Sequence, residues 1–327
     1  MRNSLKILDI FIGNMCNLTC FQCDTRSDVI RTTKLDPDLV SIKKGILLAE
    51  EHFEIETYSI LGGEPLIYLD SVTDIVKFIR ERNPIARILI PTNGTLLERK
   101  LEYVANLITT YNVCFAVCDH FAAFPDKTRS NEIKHATKLL VERLNFTPQD
   151  PMEFFEDWLD WKNVKQDKLW QGFLDARADM MDCHYTDEVW TNGTAWVHYK
   201  DQLEFQSHYH LLDGKPKPFM SGNARESYLR SCPSTFCSFL LDSKLYKCGA
   251  LGTLKRFLEH HNAMDDPDWQ KYLNYKALDL ANCTLEEVTH FSNTKYCEVD
   301  TCDMCPSTTQ KYTKTPDTVI PIRQVNG

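Results

Sequence analysis

An alternation of apolar, β-rich runs with helical patterns through residues 1–145 is the sequence feature that most constrains the fold. The apolar runs, which we predict to be strands, are residues 5–12, 57–61, 87–90 and 113–117. The helical patterns between and after them are residues 38–52, 71–82, 97–110 and 131–144. Because strands spaced by helices form parallel sheets with right-handed crossovers, this alternation predicts an α/β fold.

The residues with recognisable chemistry follow the ends of the predicted strands. They are the cysteine triplet Cys16, Cys20 and Cys23 after the first strand, Gly62-Gly63-Glu64-Pro65 after the second, Thr92-Asn93-Gly94 after the third and Asp119-His120 after the fourth. In parallel sheets, catalytic and binding groups gather at the carboxyl ends of the strands. We therefore predict that these four groups meet at one edge of the sheet.

The cysteine triplet has the spacing CxxxCxxC within one short loop. Three thiolates hold three corners of a 4Fe–4S cluster and leave one iron free for a ligand that is not protein. A structural zinc site is the alternative, but it normally needs a fourth Cys or His close by, and the sequence has none at suitable spacing. The spacing therefore favours an open iron–sulfur cluster that can bind and activate another molecule.

Together, the cysteine triplet, Gly-Gly-Glu-Pro and Thr-Asn-Gly resemble the radical S-adenosylmethionine (radical SAM) superfamily over at least residues 5–145. The resemblance implies a partial (β/α)6 TIM-like barrel of the radical SAM type. It also implies that Cys16, Cys20 and Cys23 ligate a 4Fe–4S cluster whose free iron binds SAM. In the superfamily, reduction of this cluster cleaves SAM to a 5′-deoxyadenosyl radical, and we expect the same chemistry here.

The other two motifs are the predicted SAM-binding residues. Gly62 and Gly63 let the backbone approach a polar ligand, and Glu64 supplies an acceptor for the methionyl ammonium group of SAM. Thr92 and Asn93 are candidates for contact with SAM or substrate, with a hydrogen-bonded turn as the alternative. Two positions depart from the superfamily pattern, since Gln22 and Val117 stand where an aromatic residue and a serine are usual.

The cysteines near the end of the chain form a second group. Seven of the 13 cysteines lie between residues 232 and 305, where a predicted β-hairpin (residues 239–247) precedes Cys248 and a CxxC ends the run. This region resembles the auxiliary-cluster extensions of the superfamily, called twitch when short and SPASM when long. The resemblance implies that Cys232, Cys248, Cys302 and Cys305 close one auxiliary 4Fe–4S cluster.

Other arrangements of these cysteines stay open. Cys237 and Cys297 are reserve ligands, Cys283 would count toward a second auxiliary cluster, and zinc is the alternative metal. The resulting division is a radical SAM core (1–225) with an aromatic helical insertion (about 148–185), an α+β auxiliary-cluster domain (226–306) and a C-terminal tail (307–327).

Composition excludes some classes of partner. The formal net charge of -9 disfavours a long nucleic-acid groove, and no apolar stretch is long enough to cross a membrane. We therefore expect a cytoplasmic protein that binds neither nucleic acid nor membrane. Cysteines are numerous for such a chain, and in this setting Cys clusters bind metal more often than they form disulfides.

The leading functional hypothesis is oxidation of a small molecule such as a sugar or cyclitol, because an auxiliary cluster near the substrate can accept an electron. We expect a flavodoxin- or ferredoxin-type protein as the electron donor. Asp119 and His120 are the candidate bases, with His198, His208 and His210 on later strands. Modification of a ribosomally made peptide is the first alternative, and a non-enzymatic iron–sulfur or zinc protein is the second.

Overall fold

The computed structural model describes residues 3–20, 23–30, 37–151, 153, 187–205, 207–232, 237–294, 300–307, 310–311 and 317–318. Residues 154–185 of the predicted insertion lie outside the described residues, as do Gln22 and Cys297. Within the part of the chain that is described, no helix is long and apolar enough to span a bilayer.

The elements follow the predicted alternation. The strands are β1 Asn3–Phe11, β2 Leu18–Thr19, β3 Phe53–Leu61, β4 Arg87–Thr92, β5 Val113–Asp119, β6 Thr147–Gln149, β7 Glu188–Thr191, β8 Trp196–Asp201, β9 Glu204–Phe205, β10 His210–Leu212, β11 Lys215–Lys217, β12 Cys237–Leu241, β13 Lys244–Tyr246, β14 Leu278–Asp279, β15 Gln310–Lys311 and β16 Asp317–Thr318. The α-helices are α1 Ser27–Ile30, α2 Leu39–His52, α3 Leu69–Arg82, α4 Leu101–Tyr111, α5 Thr128–Leu144, α6 Ala224–Ser231, α7 Gly249–Gly252, α8 Leu254–His260, α9 Pro267–Leu273 and α10 Leu285–Thr294. The α/β class is confirmed.

The chain separates into two compact units. The first comprises Met1–Ile88, Phe205–Gln310 and Pro316–Gly327, and the second comprises Leu89–Glu204 and Lys311–Thr315. The cysteine triplet and the C-terminal cysteines therefore belong to the same unit. These contact units are a different division from the domains predicted above, which remain predictions.

The sheet of the first unit is built around β1. This strand pairs in parallel with β3 on one side and with β12 on the other, so that Asp9 lies opposite both Ser59 and Phe239. Strands β12 and β13 form the predicted hairpin, and β14 extends it. Asp242 and Ser243 at its turn have φ of 51° and 57°, the left-handed conformation of a type I′ turn.

Apolar packing holds this unit together. Asp38 is the N-cap residue of helix α2, and its side chain accepts a hydrogen bond from the Ser41 backbone N–H. Gly45 of this helix lies against Leu240 of β12. A second apolar layer lies under the hairpin, where Phe239, Phe257 and Trp269 are almost completely buried. The strands of the hairpin and the short helices α7–α9 therefore share one core.

The second unit contains strands β5 to β8. Strand β5 pairs in parallel with β8, and β8, β7 and β6 continue as antiparallel neighbours. Cys114 and Ala116 of β5 pack with Val189 and Trp196 in the core of this sheet. This placement agrees with the interpretation of Cys114 as a buried strand thiol.

Candidate active site

The triplet loop, residues 12–26, leaves the carboxyl end of β1. Cys16 is buried, and Cys20 and Cys23 are half-buried. The backbone N–H of Leu18 donates a hydrogen bond to Cys16 Sγ at 3.4 Å. Among the described residues no group of three or more His, Cys, Asp or Glu is placed to hold a single metal ion. The ligands of a 4Fe–4S cluster bind different irons, so they need not converge on one point.

The Gly-Gly-Glu-Pro turn is clamped to this loop by backbone hydrogen bonds. Gly63 N–H donates to Gly13 O at 2.9 Å, and Glu64 N–H donates to Met15 O at 2.8 Å. A Cβ on Gly62 would lie 2.3 Å from Gly13 O, and one on Gly63 would lie 2.1 Å from Met15 O. From the sequence, we expected these glycines to let the backbone approach a ligand. In the structure, they let the backbone of the triplet loop approach the turn.

Glu64 is held in a fixed position. Its side chain is 1% exposed, and Oε1 accepts the Leu66 backbone N–H at 3.0 Å, which caps the short 3₁₀ turn Pro65–Ile67. A buried carboxylate is stable only with hydrogen-bond or charge partners, so this one is oriented before any ligand arrives.

Buried polar groups also fix the far side of the loop. The Thr25 hydroxyl donates to Gly62 O at 2.8 Å and lies 3.4 Å from Cys23 Sγ. Tyr68 accepts the Met15 N–H at 2.8 Å, and Asn14 donates to Ile30 O at 2.7 Å. Hydrogen bonds of this kind fix the position of ligand side chains and tune the cofactor they hold.

Thr92 and Asn93 form the hydrogen-bonded turn that the sequence left as an alternative. Asn93 Oδ1 accepts from the backbone N–H and the hydroxyl of Thr95 at 3.0 and 2.6 Å, and Thr92 Oγ1 accepts from Gly94 N–H at 3.2 Å. Gly94 has a φ of +74°, which favours glycine. Contact of this turn with SAM stays a prediction.

The two candidate bases differ in their surroundings. Asp119 is fully buried and accepts hydrogen bonds from Ser130 Oγ at 2.5 Å, Tyr199 OH at 2.7 Å and the Phe121 N–H at 2.8 Å. Burial and the neighbouring Asp119 carboxylate raise the pKa of Tyr199, so its hydroxyl remains a donor. His120 is half-buried next to it. Asp119 therefore joins β5 to β8 and α5 through these hydrogen bonds.

A histidine–carboxylate pair lies elsewhere in the second unit. His198 Nε2 is 2.8 Å from Asp187 Oδ2, and both side chains are buried. The sequence singled out His198 but missed Asp187, because Asp187 precedes β7 whereas His198 lies on β8, and no motif links them. A ring held by a carboxylate has the orientation required of a general base.

The C-terminal cysteines are brought together by α6 and a 3₁₀ segment, Asp300–Met304. Cys232 is the residue that ends α6, and Cys302 lies within the 3₁₀ segment. The Ser227 hydroxyl of α6 donates to Cys305 O at 2.8 Å, which ties the helix to the CxxC. Helix α6 therefore places Cys232 beside the elements that carry Cys302 and Cys305.

Cys248 begins α7 and lies against the same core as Cys305. The pKa of the Cys248 thiol is raised to about 11, chiefly by burial and also by the neighbouring Cys302, whereas Arg26 of the triplet loop lowers it. Arg26 is 1% exposed, and its guanidinium carbon lies 4.4 Å from the centre of the Phe257 ring. A buried positive charge there offsets the negative charge that cysteine thiolates bring.

Two of the remaining cysteines have other partners. The Cys237 thiol hydrogen-bonds to the buried Asp9 carboxyl. Cys283 Sγ is 3.4 Å from His52 Nε2. Burial raises the pKa of Asp9 to about 7, against the opposing hydrogen bonds from Ser59 and Cys237. Asp9, which the sequence had assigned only to a strand, is thus a buried titratable group in the first unit.

Comparison with known proteins decides the family. A sequence model of the radical SAM superfamily matches residues 10–153, which include the triplet, Gly-Gly-Glu-Pro and Thr-Asn-Gly motifs. Residues 10–153 belong to the radical SAM superfamily. The superfamily binds a 4Fe–4S cluster and SAM, and the parallel strands agree with its partial TIM-like barrel fold.

Several curated relatives match part of the chain. A 7-carboxy-7-deazaguanine synthase from Methanothermobacter thermautotrophicus is 34% identical over 33% of this chain and 40% of its own length. A probable GTP 3′,8-cyclase from Methanocaldococcus jannaschii is 34% identical over 30% of this chain and 32% of its own. A GTP 3′,8-cyclase from Chlorobaculum tepidum is 29% identical over 42% of this chain and 41% of its own. The chain therefore spans less than half the length of these relatives.

A solved structure described as native anSMEcpe with bound AdoMet also matches. It has 19% identity and a TM-score of 0.32, and the match covers 42% of this chain and 41% of that one.

The residues present in this radical SAM chain fit the cofactors of the superfamily. Three thiols lie in one loop that is fixed by backbone hydrogen bonds, and a backbone N–H points at one of the sulfurs. Gly62 and Gly63 admit the backbone of the triplet loop, which is hydrogen-bonded to the turn, so the loop and the turn are fixed relative to each other. The cysteine sulfurs as donor atoms, and the hydrogen bonds that fix their loop, are typical of an iron–sulfur site.

Proposed function

We propose that this radical SAM enzyme carries one auxiliary 4Fe–4S cluster and oxidises a small molecule such as a sugar or cyclitol. The observation that carries the proposal is that both cysteine groups belong to one compact unit, in which residues after Cys23 contact the C-terminal elements. Asp24 and Arg26, which lie within three residues after Cys23, reach the elements that hold the C-terminal cysteines. Arg26 lies over Phe257 of α8, and Asp24 contacts His208, whose ring also contacts Cys305.

In this proposal Cys16, Cys20 and Cys23 hold the first cluster, and Glu64, Gly62 and Gly63 form the wall against which SAM binds. When bound, the cluster and SAM supply a 5′-deoxyadenosyl radical that abstracts a hydrogen atom from the substrate. The clamp between the Gly-Gly-Glu-Pro turn and the triplet loop keeps the Glu64 carboxylate at a fixed place relative to the cysteines. Thr92 and Asn93 are proposed as further SAM-contacting residues.

Cys232, Cys248, Cys302 and Cys305 are the proposed ligands of the auxiliary cluster. Two observations support this assignment. Helix α6 packs on the 3₁₀ segment, and Cys302 lies near enough to Cys248 to raise the pKa of its thiol. The hydrogen bond of Cys237 to Asp9 favours a thiol rather than a ligand at that position. The auxiliary cluster is the feature that favours oxidation over other outcomes.

Oxidation of an alcohol is helped by a base that removes the hydroxyl proton. His120 and Asp119 remain the proposed pair at the end of β5, although Asp119 already accepts three hydrogen bonds. His198, oriented by Asp187, is a further candidate in the same unit. Product formation and SAM cleavage would be measured in His120→Gln and in His198→Gln. The variant that lacks the base should lose product formation while its SAM cleavage is unchanged.

Iron analysis tests the number of clusters. A Cys16→Ala/Cys20→Ala/Cys23→Ala protein, reconstituted without oxygen, should retain about four irons if an auxiliary cluster exists. Cys114→Ala, which removes a buried strand thiol of the second unit, is the matched control and should retain about eight. Zinc in place of iron in the triple variant would contradict the auxiliary cluster.

The reaction is tested on the complete protein with dithionite and SAM. Formation of 5′-deoxyadenosine is expected, and its absence with an intact cluster would contradict the enzyme proposal in favour of a non-enzymatic iron–sulfur protein. Deuterium transfer from labelled candidates into 5′-deoxyadenosine then identifies the substrate class. Sugars and cyclitols are expected to transfer deuterium, and peptides are the alternative. Purine nucleotides are a second alternative, because the relatives' names refer to GTP and deazaguanine.

The partners follow from the proposed chemistry. The one-electron reductant is proposed to be a flavodoxin- or ferredoxin-type protein. A cytoplasmic location, with no nucleic-acid or membrane partner, completes the proposal. Exchange of dithionite for a reduced flavodoxin in the same assay tests the donor, and loss of turnover with the flavodoxin would count against it.

A further inference from the structure

His208 joins the triplet loop to the C-terminal cysteines. Its Nε2 lies 3.1 Å from Asp24 Oδ1, and its Nδ1 lies 3.4 Å from Cys305 Sγ. The residue is 6% exposed, whereas the side chain of Asp24 is 59% exposed. One imidazole ring therefore spans from the residue that follows Cys23 to a proposed ligand of the auxiliary cluster.

The ring is held in place by its chain neighbours. The Ser207 hydroxyl donates to Tyr209 O at 2.7 Å, and the Tyr209 ring packs 4.7 Å from that of Phe257. Phe257 in turn carries the Arg26 guanidinium on its face. Because the flanking residues are anchored in the core, the His208 ring has little freedom to turn away from Cys305.

We propose that His208 is a positioning residue that hydrogen-bonds to Cys305 Sγ in the loaded protein and sets the reduction potential of the auxiliary cluster. This rests on the proposed function, since it requires Cys305 to be a cluster ligand. A thiolate and a carboxylate only accept hydrogen bonds, so the ring supplies an N–H to each of them, from Nδ1 to Cys305 and from Nε2 to Asp24. Such a bond stabilises the additional negative charge of a reduced cluster and raises its potential. The Asp24 carboxylate orients the ring, as carboxylates do for histidines at metal sites.

The test uses the protein that lacks the first cluster, Cys16→Ala/Cys20→Ala/Cys23→Ala, so that only the auxiliary cluster titrates. His208→Phe keeps the ring volume and removes both nitrogens, and we expect retained iron with a midpoint potential shifted to more negative values. His208→Gln keeps an N–H donor and should restore part of the shift. His210→Phe is the matched control, because His210 lies two residues on, packs against Phe219 and should leave the potential unchanged.

Unchanged potential in His208→Phe with full iron content would overturn the proposal. Loss of iron in both His208→Phe and His208→Gln would also overturn it, because it would make His208 a ligand. Pulsed EPR on the otherwise unsubstituted triple variant with ¹⁵N-labelled histidine avoids any folding defect of the His208 variants. A weak nitrogen coupling supports the hydrogen bond, whereas a strong coupling or none overturns it. If the triple variant contains no iron, the chain has no auxiliary cluster. This result contradicts the proposed function and is distinguishable from the results that concern His208.

Discussion

At the scale of single residues, Gly63 has the least freedom to change. A Cβ there would lie 2.1 Å from the Met15 carbonyl oxygen. A backbone atom cannot move aside as the end of a flexible side chain can. We expect Gly63→Ala to displace the triplet loop and to lose the iron of the first cluster. Gly193→Ala is the control, because Gly193 has open space around it but a φ of +89°. It should cost about 1 kcal/mol of stability and keep its iron.

The test is iron content and SAM cleavage measured on both glycine variants. Normal iron in Gly63→Ala would show that the turn and the loop separate without consequence for the cluster. Equal iron loss in both variants would show that general destabilisation, rather than the contact with Met15, is responsible.

Asp9 carries a pH dependence of stability. Burial raises its pKa from an ordinary value of 3.8 to about 7. Between these two pH values the folded state therefore holds a proton that the unfolded state has released. Stability from this group is therefore fully present below about pH 4 and is lost as the pH rises through about 7, by a total on the order of 4 kcal/mol. Asp9→Asn should remove this loss.

The measurement is the difference in unfolding free energy between Asp9→Asn and the unsubstituted protein from pH 5 to 8. The difference should grow in favour of the asparagine variant as the pH rises, because all other titrating groups cancel between the two. A constant difference would contradict the raised pKa.

At the scale of elements, the turn of the β12–β13 hairpin contains a residue whose backbone conformation is unfavourable. Ser243 has a φ of 57°, and glycine adopts this conformation without a steric penalty. We expect Ser243→Gly to stabilise the protein by about 0.5–1 kcal/mol, since the flexibility of glycine in the unfolded chain offsets part of the gain. Thermal unfolding measures it. A lower midpoint would mean that the serine side chain makes a contact worth more than the strain.

Element positions were the part of the fold that the sequence predicted best. The helices predicted over 38–52 and 71–82 are Leu39–His52 and Leu69–Arg82, because their apolar residues recur on one helical face. The Asp-Ser hairpin was also predicted correctly. The pairing of β1 with β12 was not, because it joins residues more than 200 positions apart and no local pattern records it.

The candidate site shows the same limit. The motifs identified Cys16, Cys20, Cys23 and Glu64 as residues of interest, but the role of Gly62 and Gly63 as a passage for the triplet loop is visible only in three dimensions. Asp187, Asp9 and the contact of His208 with Cys305 were missed for the same reason. Each depends on a contact between two segments that no motif relates.

At the scale of the whole molecule, all seven proposed cluster ligands lie in the first unit and none in the second. Metal-binding free energy stabilises the part of the chain that the ligands hold, because the sites exist only when that part is folded. Removal of iron by a chelator should therefore raise amide hydrogen exchange in Asn3–Phe11 and Cys237–Leu241 far more than in Val113–Asp119 and Trp196–Asp201.

Hydrogen exchange followed by mass spectrometry, on loaded and iron-free protein without oxygen, measures this by segment. The triple variant provides the intermediate case, since loss of the first cluster alone should leave Cys237–Leu241 protected by the auxiliary cluster. Equal loss of protection in both units after iron removal would mean that they unfold as one cooperative body. The clusters would then stabilise the entire chain rather than the unit that contains their ligands.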